Sequence, residues 1–384
     1  TVKKGENKFM GKMKKNFVVS KFRILCFTSL VLSLPFNSIS LATNITGVSG
    51  FNGVYYIKPQ KVSGNTGFRQ YSNFSLDKGN TASLMFVNGI TRYINAVDNQ
   101  VTINGILNTV DANKNFYNGK AIFVSPKGFV VGESGIVNVG ALEVYTPSSS
   151  VYNEFKKKSV NRMSDIELSN DKYFGNGNIK INGMVLAREN ITLKGNNIYI
   201  NEGAKIATGF KNKDENNLVS QKGIAKYSQQ KTKTNAPIKA EELFNILVNT
   251  GKYGFNVSNN DIDIGSSNGD LILTTNRGTI IENSTIVANG DISVLNKDRY
   301  NVKIAGEQYV NGDYFVSQSA RSLAGNLYID GDVNTNGKIE FEQNSNGNTY
   351  ISGKVKSKND MLINQNPYGK YTESANKGNI YVGG

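Results

Sequence analysis

One short phrase recurs along the chain from about residue 177 and limits its fold more than any other feature. The phrase is a small or polar turn pair followed by an apolar residue, any residue and a second apolar residue, as in "GDLIL" from 269, "GNLYI" from 325 and "GNTYI" from 347. Alternation over so few positions predicts strands of three to five residues, each introduced by turn-forming residues. A chain built this way needs many short strands rather than a few long ones.

The spacing of the phrases predicts how these strands are arranged. Ile179 and Ile198 lie 19 residues apart, Leu271 and Ile292 lie 21 apart, and the phrases at 325 and 337 return 22 residues later. A step near 20 is typical of a β-solenoid, whose coils add strands to parallel sheets stacked at roughly 4.8 Å. We therefore predict an all-β fold, a single-stranded parallel β-helix with an N-terminal cap, right-handed as parallel connections generally are.

In this fold the apolar residues of successive phrases point inward and stack as ladders. The predicted inward residues are Ile179, Ile181, Ile198, Ile200, Leu271, Leu273, Ile292, Val294, Leu327, Ile329, Ile380 and Val382. Each buried aliphatic side chain contributes about 1.5 to 3 kcal/mol. Eleven Asn-Gly pairs fit either hairpin turns or left-handed corners between the strands of a coil, and the 20-residue spacing favours corners.

Two polar and charged stretches, 151–174 and 211–250, interrupt the pattern. In the second, Leu243, Phe244, Leu247 and Val248 fall at helical spacing and Gly251 supplies a stop. We expect both stretches to leave the coil as insertions, with a short helix over 240–249 lying on the solenoid. Loop insertions without a role of their own are the alternative.

The N-terminal 42 residues have the three regions of a Sec signal peptide. Four basic residues precede the apolar run "ILCFTSLVLSLPF" (24–36), and "NSISLA" (37–42) places small residues before Thr43. The run is shorter than the roughly 20 residues that cross a bilayer. The sequence therefore predicts export by the Sec translocon and cleavage between Ala42 and Thr43, with no membrane anchor.

Removal of this segment changes the expected chemistry of the chain. Translation is expected to start at Met10 or Met13, and Cys26, the sole cysteine, is lost with the signal, so the mature chain forms no disulfide. The formal net charge of +14 also falls, because residues 1–42 hold eight Lys or Arg and one Glu and leave 36 basic and 29 acidic residues. So mild a surplus suits anionic glycans or lipids, or merely a soluble surface. An exported chain without a basic block predicts no nucleic-acid partner.

Most enzyme classes are disfavoured by residues that the sequence lacks. It has no His, which excludes a Ser-His-Asp triad, a His zinc site and a histidine general base. It also has no phosphate-binding loop, dinucleotide fingerprint or "GGxGxD" calcium repeat. We therefore expect no enzyme activity, no catalytic residue and no cofactor.

One enzyme class stays open, the β-helical polysaccharide lyases that act on acidic glycans. Asp261 with Asp263 and Asp330 with Asp332 are spaced by two, which places each pair on one face of a strand. Such pairs can bind calcium through oxygen ligands. Both pairs also lie beside turn residues, where Asp is common. We favour the turn interpretation and expect no metal site.

Tyrosine recurs at the outward position of the phrase, at Tyr199, Tyr328, Tyr350 and Tyr381. Exposed aromatic rings can stack on sugars or anchor a receptor. Equally, like residues of neighbouring coils stack on one another and stiffen the sheet. These four residues are therefore a candidate surface binding stripe, with a structural role as the alternative.

Residues 43–148 resemble a known family. "GFRQYSNFSLDKGNTASLMF" (67–86), "VTINGILNTV" (101–110) and "NGKAIFVSPKGFVVGESGIVNVGALEVYTPS" (118–148) are similar to the secretion domain of two-partner-secreted exoproteins of the filamentous haemagglutinin class. The strongest likeness is to the leukotoxin-type filamentous adhesins of fusobacteria. The family's Asn-Pro-Asn-Gly-Ile turn appears altered, with Ser125 and Lys127 at the Asn positions and Pro126 and Gly128 retained.

The resemblance implies an outer-membrane transporter with periplasmic domains that recognises the chain and passes it to the cell surface or the medium. The residues it implies for recognition are Tyr71, Phe74, Asn104, Gly105, Ile106, Asn108, Ser125, Pro126, Gly128, Gly132, Gly135 and Asn138. The implied organisation is a signal segment at 1–42, a secretion domain at 43–250 and the start of a filament at 251–384. Because the phrase continues to the last residues, we expect a longer natural protein.

The implied function is that of a secreted or surface-exposed adhesin, with toxin activity against host cells as a further property of related proteins. Its ligand would be a host-cell receptor or glycan. Two alternatives remain at the level of sequence: the polysaccharide lyase described above, and a self-transporting passenger whose gene would end in a membrane β-barrel.

Overall fold

The computed structural model describes residues 43–158, 175–212, 235–255, 262–263, 269–297, 300–318, 325–365 and 378–383. The chain divides into two units, Thr1–Ser40 and Leu41–Gly384, and all described residues belong to the second unit. The predicted signal segment, with Met10, Met13, Cys26 and Ala42, lies outside the described residues, as does Asp261.

The described residues form many short strands and two helices. The strands are β1 Asn44–Ile45, β2 Gly50–Phe51, β3 Val54–Ile57, β4 Lys61–Ser63, β5 Thr66–Tyr71, β6 Phe74–Leu76, β7 Thr81–Met85, β8 Arg92–Val97, β9 Val101–Ile103, β10 Ile106–Val110, β11 Lys120–Val124, β12 Gly128–Val131, β13 Ile136–Val139, β14 Ala141–Tyr145, β15 Asn178–Ile181, β16 Met184–Ala187, β17 Ile191–Ile200, β18 Lys205–Thr208, β19 Lys211–Asn212, β20 Ile262–Asp263, β21 Leu271–Ile281, β22 Thr285–Ala288, β23 Ile292–Asn296, β24 Val302–Ile304, β25 Glu307–Val310, β26 Tyr314–Gln318, β27 Leu327–Ile329, β28 Asp332–Thr335, β29 Ile339–Gln343, β30 Thr349–Ile351, β31 Val355–Ser357, β32 Met361–Gln365 and β33 Ile380–Val382. The helices are α1 Ser149–Lys157 and α2 Asn235–Lys252.

Successive coils place their strands on three faces, and within each face every pairing is parallel. Face 1 comprises β5, β8, β11, β14, the first halves of β17 and β21, then β23, β26, β29 and β32. Face 2 comprises β6, β9, β12, β15, the second halves of β17 and β21, then β24, β27, β30 and β33. Face 3 comprises β3, β7, β10, β13, β16, β18, β22, β25, β28 and β31. The prediction of a mostly β fold with solenoid-like parallel stacking is confirmed.

The spacing read from the sequence is the pairing register of the coils. Ile179 pairs with Ile198 and Leu271 with Ile292, at the predicted steps of 19 and 21 residues. Leu327 pairs with Thr349, and Ile339 with Met361, both at the predicted step of 22. The step grows where an insertion leaves the coil, so that Ile191 pairs with Leu271 across the second polar stretch.

The apolar ladder forms one cluster that runs through the described coils. Ten of the twelve predicted inward residues are buried in it. Ile380 and Val382 occupy the predicted inward positions, in register with buried Thr349 and Ile351, but they are 41% and 66% exposed. Their strand β33 pairs with β30 on one side, and no described strand covers its other side.

Antiparallel strands cover the start of the stack. β1 pairs with β6, β2 with β3, and β4 with β5, all antiparallel. Strands that turn back in this way keep the edge of the first coil from presenting a continuous row of free backbone groups. Asn52 and Gly53 both have positive φ, as a two-residue turn between antiparallel strands requires.

Most Asn-Gly corners differ from the left-handed geometry that the sequence led us to expect. Gly53 and Gly89 have positive φ, but Gly105, Gly183 and Gly337 do not. A side chain at these three positions would overlap backbone oxygens of the preceding coil. Glycine is needed there because the coils approach closely, and the left-handed prediction is wrong for these corners.

Each helix lies on the outer side of one face. In α2, Leu243, Phe244 and Leu247 pack against Met184 and Val287 of face 3, so the predicted helix is confirmed but is longer than 240–249. The sequence did not predict α1, whose buried residues Tyr152 and Phe155 cover face 1. No helix among the described residues is long and apolar enough to cross a membrane.

Candidate functional site

Tyr71 and Phe74, the first residues implied in transporter recognition, belong to the core. Both are buried, and their rings meet edge to face with centroids 5.3 Å apart. Phe74 meets Phe123 in the same way at 5.4 Å. The Tyr71 hydroxyl donates to Oδ1 of buried Asn95 at 2.9 Å, and burial raises the pKa of Tyr71 well above its usual value. The folded protein therefore uses both residues to hold the first coils together.

Asn104, Gly105, Ile106 and Asn108 form the corner between face 2 and face 3 and the start of β10. A Cβ at Gly105 would lie 2.5 Å from the backbone oxygen of Asp77, so only glycine fits the corner. Ile106 joins the apolar cluster beneath α2. Asn108 is buried and pairs in register with Asn138, whose Nδ2 donates to the Asn108 Oδ1 at 3.1 Å.

Ser125, Pro126 and Gly128 form the turn between face 1 and face 2. Ser125 is buried; its hydroxyl donates to the Asn99 carbonyl at 2.8 Å and accepts the Lys127 amide at 3.2 Å. Gly128 has a φ of +110°, a conformation that side chains resist. Ser125 thus makes turn-stabilising hydrogen bonds, whereas Lys127 is exposed.

Gly132 and Gly135 form the corner between face 2 and face 3 in the next coil. This corner stacks on the one formed by Asn104 and Gly105. A Cβ at Gly132 would overlap Oδ1 of Asn104, and one at Gly135 would overlap the carbonyl oxygen of Ile103. The structure therefore brings Asn104 and Gly132 of neighbouring coils together. Of the twelve implied residues, Asn104 is partly exposed and the other eleven are buried.

Beside these corners lies a groove that the sequence did not predict. Its cavity of ≈ 320 Å³ is lined by Gly105, Ile106, Gly135 and Ile136 and bounded by the ion pair of Lys205 with Glu241 of α2. Its walls come from several coils and a helix far apart in the chain, which no local pattern reveals. The guanidinium of buried Arg188 lies 4.4 Å from the ring centroid of Phe116 and 4.7 Å from that of Phe210.

The four stripe tyrosines occupy one outward column of face 2. In register the column runs Lys180, Tyr199, Ile280, Lys303, Tyr328, Tyr350 and Tyr381. The rings of Tyr328, Tyr350 and Tyr381 stack with centroids 5.0 Å apart and planes within 7°. Tyr199 stands apart from this stack, with the Lys180 ammonium 5.7 Å from its centroid.

Asparagine side chains hold the three stacked rings in place. The Nδ2 groups of Asn326, Asn348 and Asn379 donate to the hydroxyls of the tyrosines two residues later, at 2.8, 2.9 and 3.2 Å. Because both faces of the Tyr350 ring lie against its neighbours, this ring presents its edge to the solvent rather than a face on which a sugar could stack.

The aspartates considered as calcium ligands have turn partners where they are described. Asp330 accepts from the Ser352 hydroxyl at 2.7 Å, and Asp332 accepts from the Lys354 amide at 3.3 Å. Asp263 lies in the short strand β20, which pairs with β19. Within the ranges that the structure describes, no group of three or more His, Cys, Asp or Glu is placed to hold a metal ion.

Comparison with known proteins adds no family assignment to this geometry. No protein-family model and no curated protein matches the chain.

Proposed function

We propose that the chain is the export-directing region and the start of the filament of a secreted or surface-exposed adhesin of the filamentous haemagglutinin class, released by the two-partner route. The observation that supports this most is the unbroken parallel pairing of face 1 from β5 to β32, which spans the proposed secretion domain at 43–250 and the proposed repeat region at 251–384. We further propose that this parallel stack is a right-handed single-stranded β-helix.

The burial of the implied recognition residues indicates at which stage of export the transporter recognises them. Eleven of the twelve are inaccessible in the folded coils, so recognition belongs to the extended chain, after Sec export and before folding. The transporter's periplasmic domains would bind 67–86 and 101–145 by strand addition. Once outside, each completed coil templates the next, and folding withdraws the recognition residues into the core.

In this proposal the chain has no catalytic step and no cofactor. Its partners are the Sec translocon, the outer-membrane transporter and, at the cell surface, a receptor or glycan of the host. Leukotoxin-like activity against host cells is a property of the class that the proposal leaves to segments beyond the secretion domain.

A secretion assay with matched glycine variants separates recognition from folding. Gly128→Ala alters a residue of the proposed recognition segment 101–145, and in the folded chain its Cβ would overlap the Asn178 carbonyl oxygen. Gly337→Ala creates a similar overlap with the Gly312 carbonyl oxygen, in a coil outside the recognition region. With the transporter co-expressed, we expect Gly128→Ala to remain in the periplasm and Gly337→Ala to be exported.

Deletion of 67–145 should block export completely. Normal export of the deletion variant, or equal retention of both glycine variants, would contradict the proposed recognition role. Export of the unaltered chain in cells that lack the transporter would contradict the two-partner route.

A further inference from the structure

The tyrosine stack places identical atoms of neighbouring coils next to one another. Tyr328 pairs in register with Tyr350, and Tyr350 with Tyr381. Each hydroxyl accepts from an asparagine two residues earlier, so all three rings have the same orientation. With planes within 7° and centroids 5.0 Å apart, the ring carbons beside each hydroxyl face their counterparts on the next coil.

These rings are also open to reagents. Tyr381 is 48% exposed and Tyr328 and Tyr350 are partly exposed, whereas Tyr71, Tyr93 and Tyr314 are buried in the core. Tyr199 lies in the same column, but its register neighbours are Lys180 and Ile280. The stack is therefore a place where accessible tyrosines of different coils are neighbours.

Covalent ties between coils cannot come from cysteine. The sole cysteine of the sequence is Cys26, outside the described coils. A tie between the coils that carry the tyrosine stack would therefore have to use another side chain.

We propose that the stack is a site of oxidative tyrosine cross-linking, in which Tyr350 becomes joined to Tyr328 or Tyr381. The co-reactant is hydrogen peroxide with a peroxidase, or another one-electron oxidant. Each of two neighbouring phenols gives up one hydrogen atom, and the resulting radicals couple through the ring carbons beside their hydroxyls. The hydrogens on the joined carbons move to the two oxygens as the rings regain aromaticity, and one peroxide is reduced to two waters.

Such a link would close a loop through neighbouring coils. Joining residues of successive coils limits the conformations of the unfolded chain, as a disulfide of similar loop length does. The link therefore stabilises the coils that carry it, and limited proteolysis should cut residues 325–365 more slowly after oxidation.

Peptide mapping of the oxidised protein tests the site directly. Trypsin cuts after Arg321, Lys338, Lys354 and Lys377, which places the three tyrosines in separate peptides, 322–338, 339–354 and 378–384. After treatment of the folded full chain with peroxidase and hydrogen peroxide, we expect dityrosine fluorescence and a linked pair that contains 339–354. An equal mixture of isotope-labelled and unlabelled protein should give linked peptides of one label only.

Two phenylalanine variants complete the test. Tyr350→Phe keeps the central ring but removes its phenol, and it should abolish both links, because Tyr328 and Tyr381 are two coils apart. Tyr199→Phe is the matched control from the same column and should leave the links unchanged. Absence of these linked peptides from the oxidised wild type would overturn the proposal. Unchanged links in Tyr350→Phe, or links only between separate copies, would do the same.

Discussion

The backbone amide of Asn348 donates to the side-chain oxygen of Asn326, 2.9 Å away on the preceding coil. The same bond joins Asn326 to Asn301 at 2.9 Å and Asn379 to Asn348 at 2.8 Å. The Nδ2 groups of Asn326 and Asn348 also donate to tyrosine hydroxyls, so both ends of these two side-chain amides are hydrogen-bonded. This ladder fixes the register of face 2.

Replacing Asn348 should therefore destabilise the coils on both sides. Asn348→Ala removes the acceptor of the Asn379 amide and the donor to Tyr350, and loss of such bonds costs about 1 to 3 kcal/mol. Asn113→Ala on an exposed loop is the control and should change the free energy of unfolding by less than about 0.5 kcal/mol. Denaturant unfolding measures both values, and equal effects would argue against the ladder.

The corner glycines should differ in their tolerance of a side chain. A Cβ at Gly105 would meet backbone oxygens of the preceding coil, whereas one at Gly79, with a φ of +83°, would meet nothing within 4 Å. We expect Gly105→Ala to cost about 3 kcal/mol or more and Gly79→Ala about 1 kcal/mol, the cost of the left-handed backbone alone. Thermal unfolding of the two variants compares these costs, and an equal loss would contradict close packing at the corner.

Helix α1 should be held by its apolar residues and not by its charges. Phe155 is buried against face 1, with its ring centroid 6.4 Å from that of Phe68, so Phe155→Ala should cost about 3 to 5 kcal/mol or undock the helix. Lys156 pairs with partly exposed Asp98 at 2.7 Å, and Lys156→Ala should cost less than about 1 kcal/mol. Denaturant unfolding with protease digestion of 149–157 checks both variants; a larger loss for Lys156→Ala would refute this ranking.

Buried tyrosines should make the protein sensitive to alkali. Burial raises the pKa of Tyr71, Tyr93 and Tyr314 above the ordinary value of about 10. Above that pH the unfolded chain loses protons that the folded chain keeps, so the free energy of unfolding falls as pH rises, by up to about 1.4 kcal/mol per pH unit for each group. Below about pH 9 the three tyrosines should not contribute to any pH dependence of the free energy of unfolding.

Tyr314→Phe isolates one of these contributions. Its free energy of unfolding should fall less steeply than that of the wild type between about pH 10 and 12, since one titrating group is gone. Urea unfolding across this range supplies both slopes. Parallel curves would mean that Tyr314 ionises alike in the folded and unfolded chains.

Much of the repeat fold could be predicted because residues at the same position of consecutive sequence phrases pair with one another. Tyr328 and Tyr350 hold the same place in consecutive phrases, and they pair in the structure. Leu243, Phe244 and Leu247 show helical spacing, and they pack on face 3 as part of α2. In both cases the spacing of apolar residues in the sequence matches the spacing at which the strand or helix places side chains on one face.

Other features depend on distant parts of the chain and left no local signal. Helix α1 buries Tyr152 and Phe155 in an otherwise polar segment, too few apolar residues to show a helical face. The exposure of Ile380 and Val382 depends on which strand lies next to theirs, not on their own phrase. The burial of Asn108 and Asn138 was hidden because asparagine is usually a surface residue.

The parallel coil register can be measured directly in an experimental density map of residues 43–383 at a resolution that shows side chains. We expect Leu327 to lie beside Thr349 and Ile339 beside Met361, with both pairs of strands parallel. Antiparallel neighbours at these positions, or a register other than 22 residues, would contradict it.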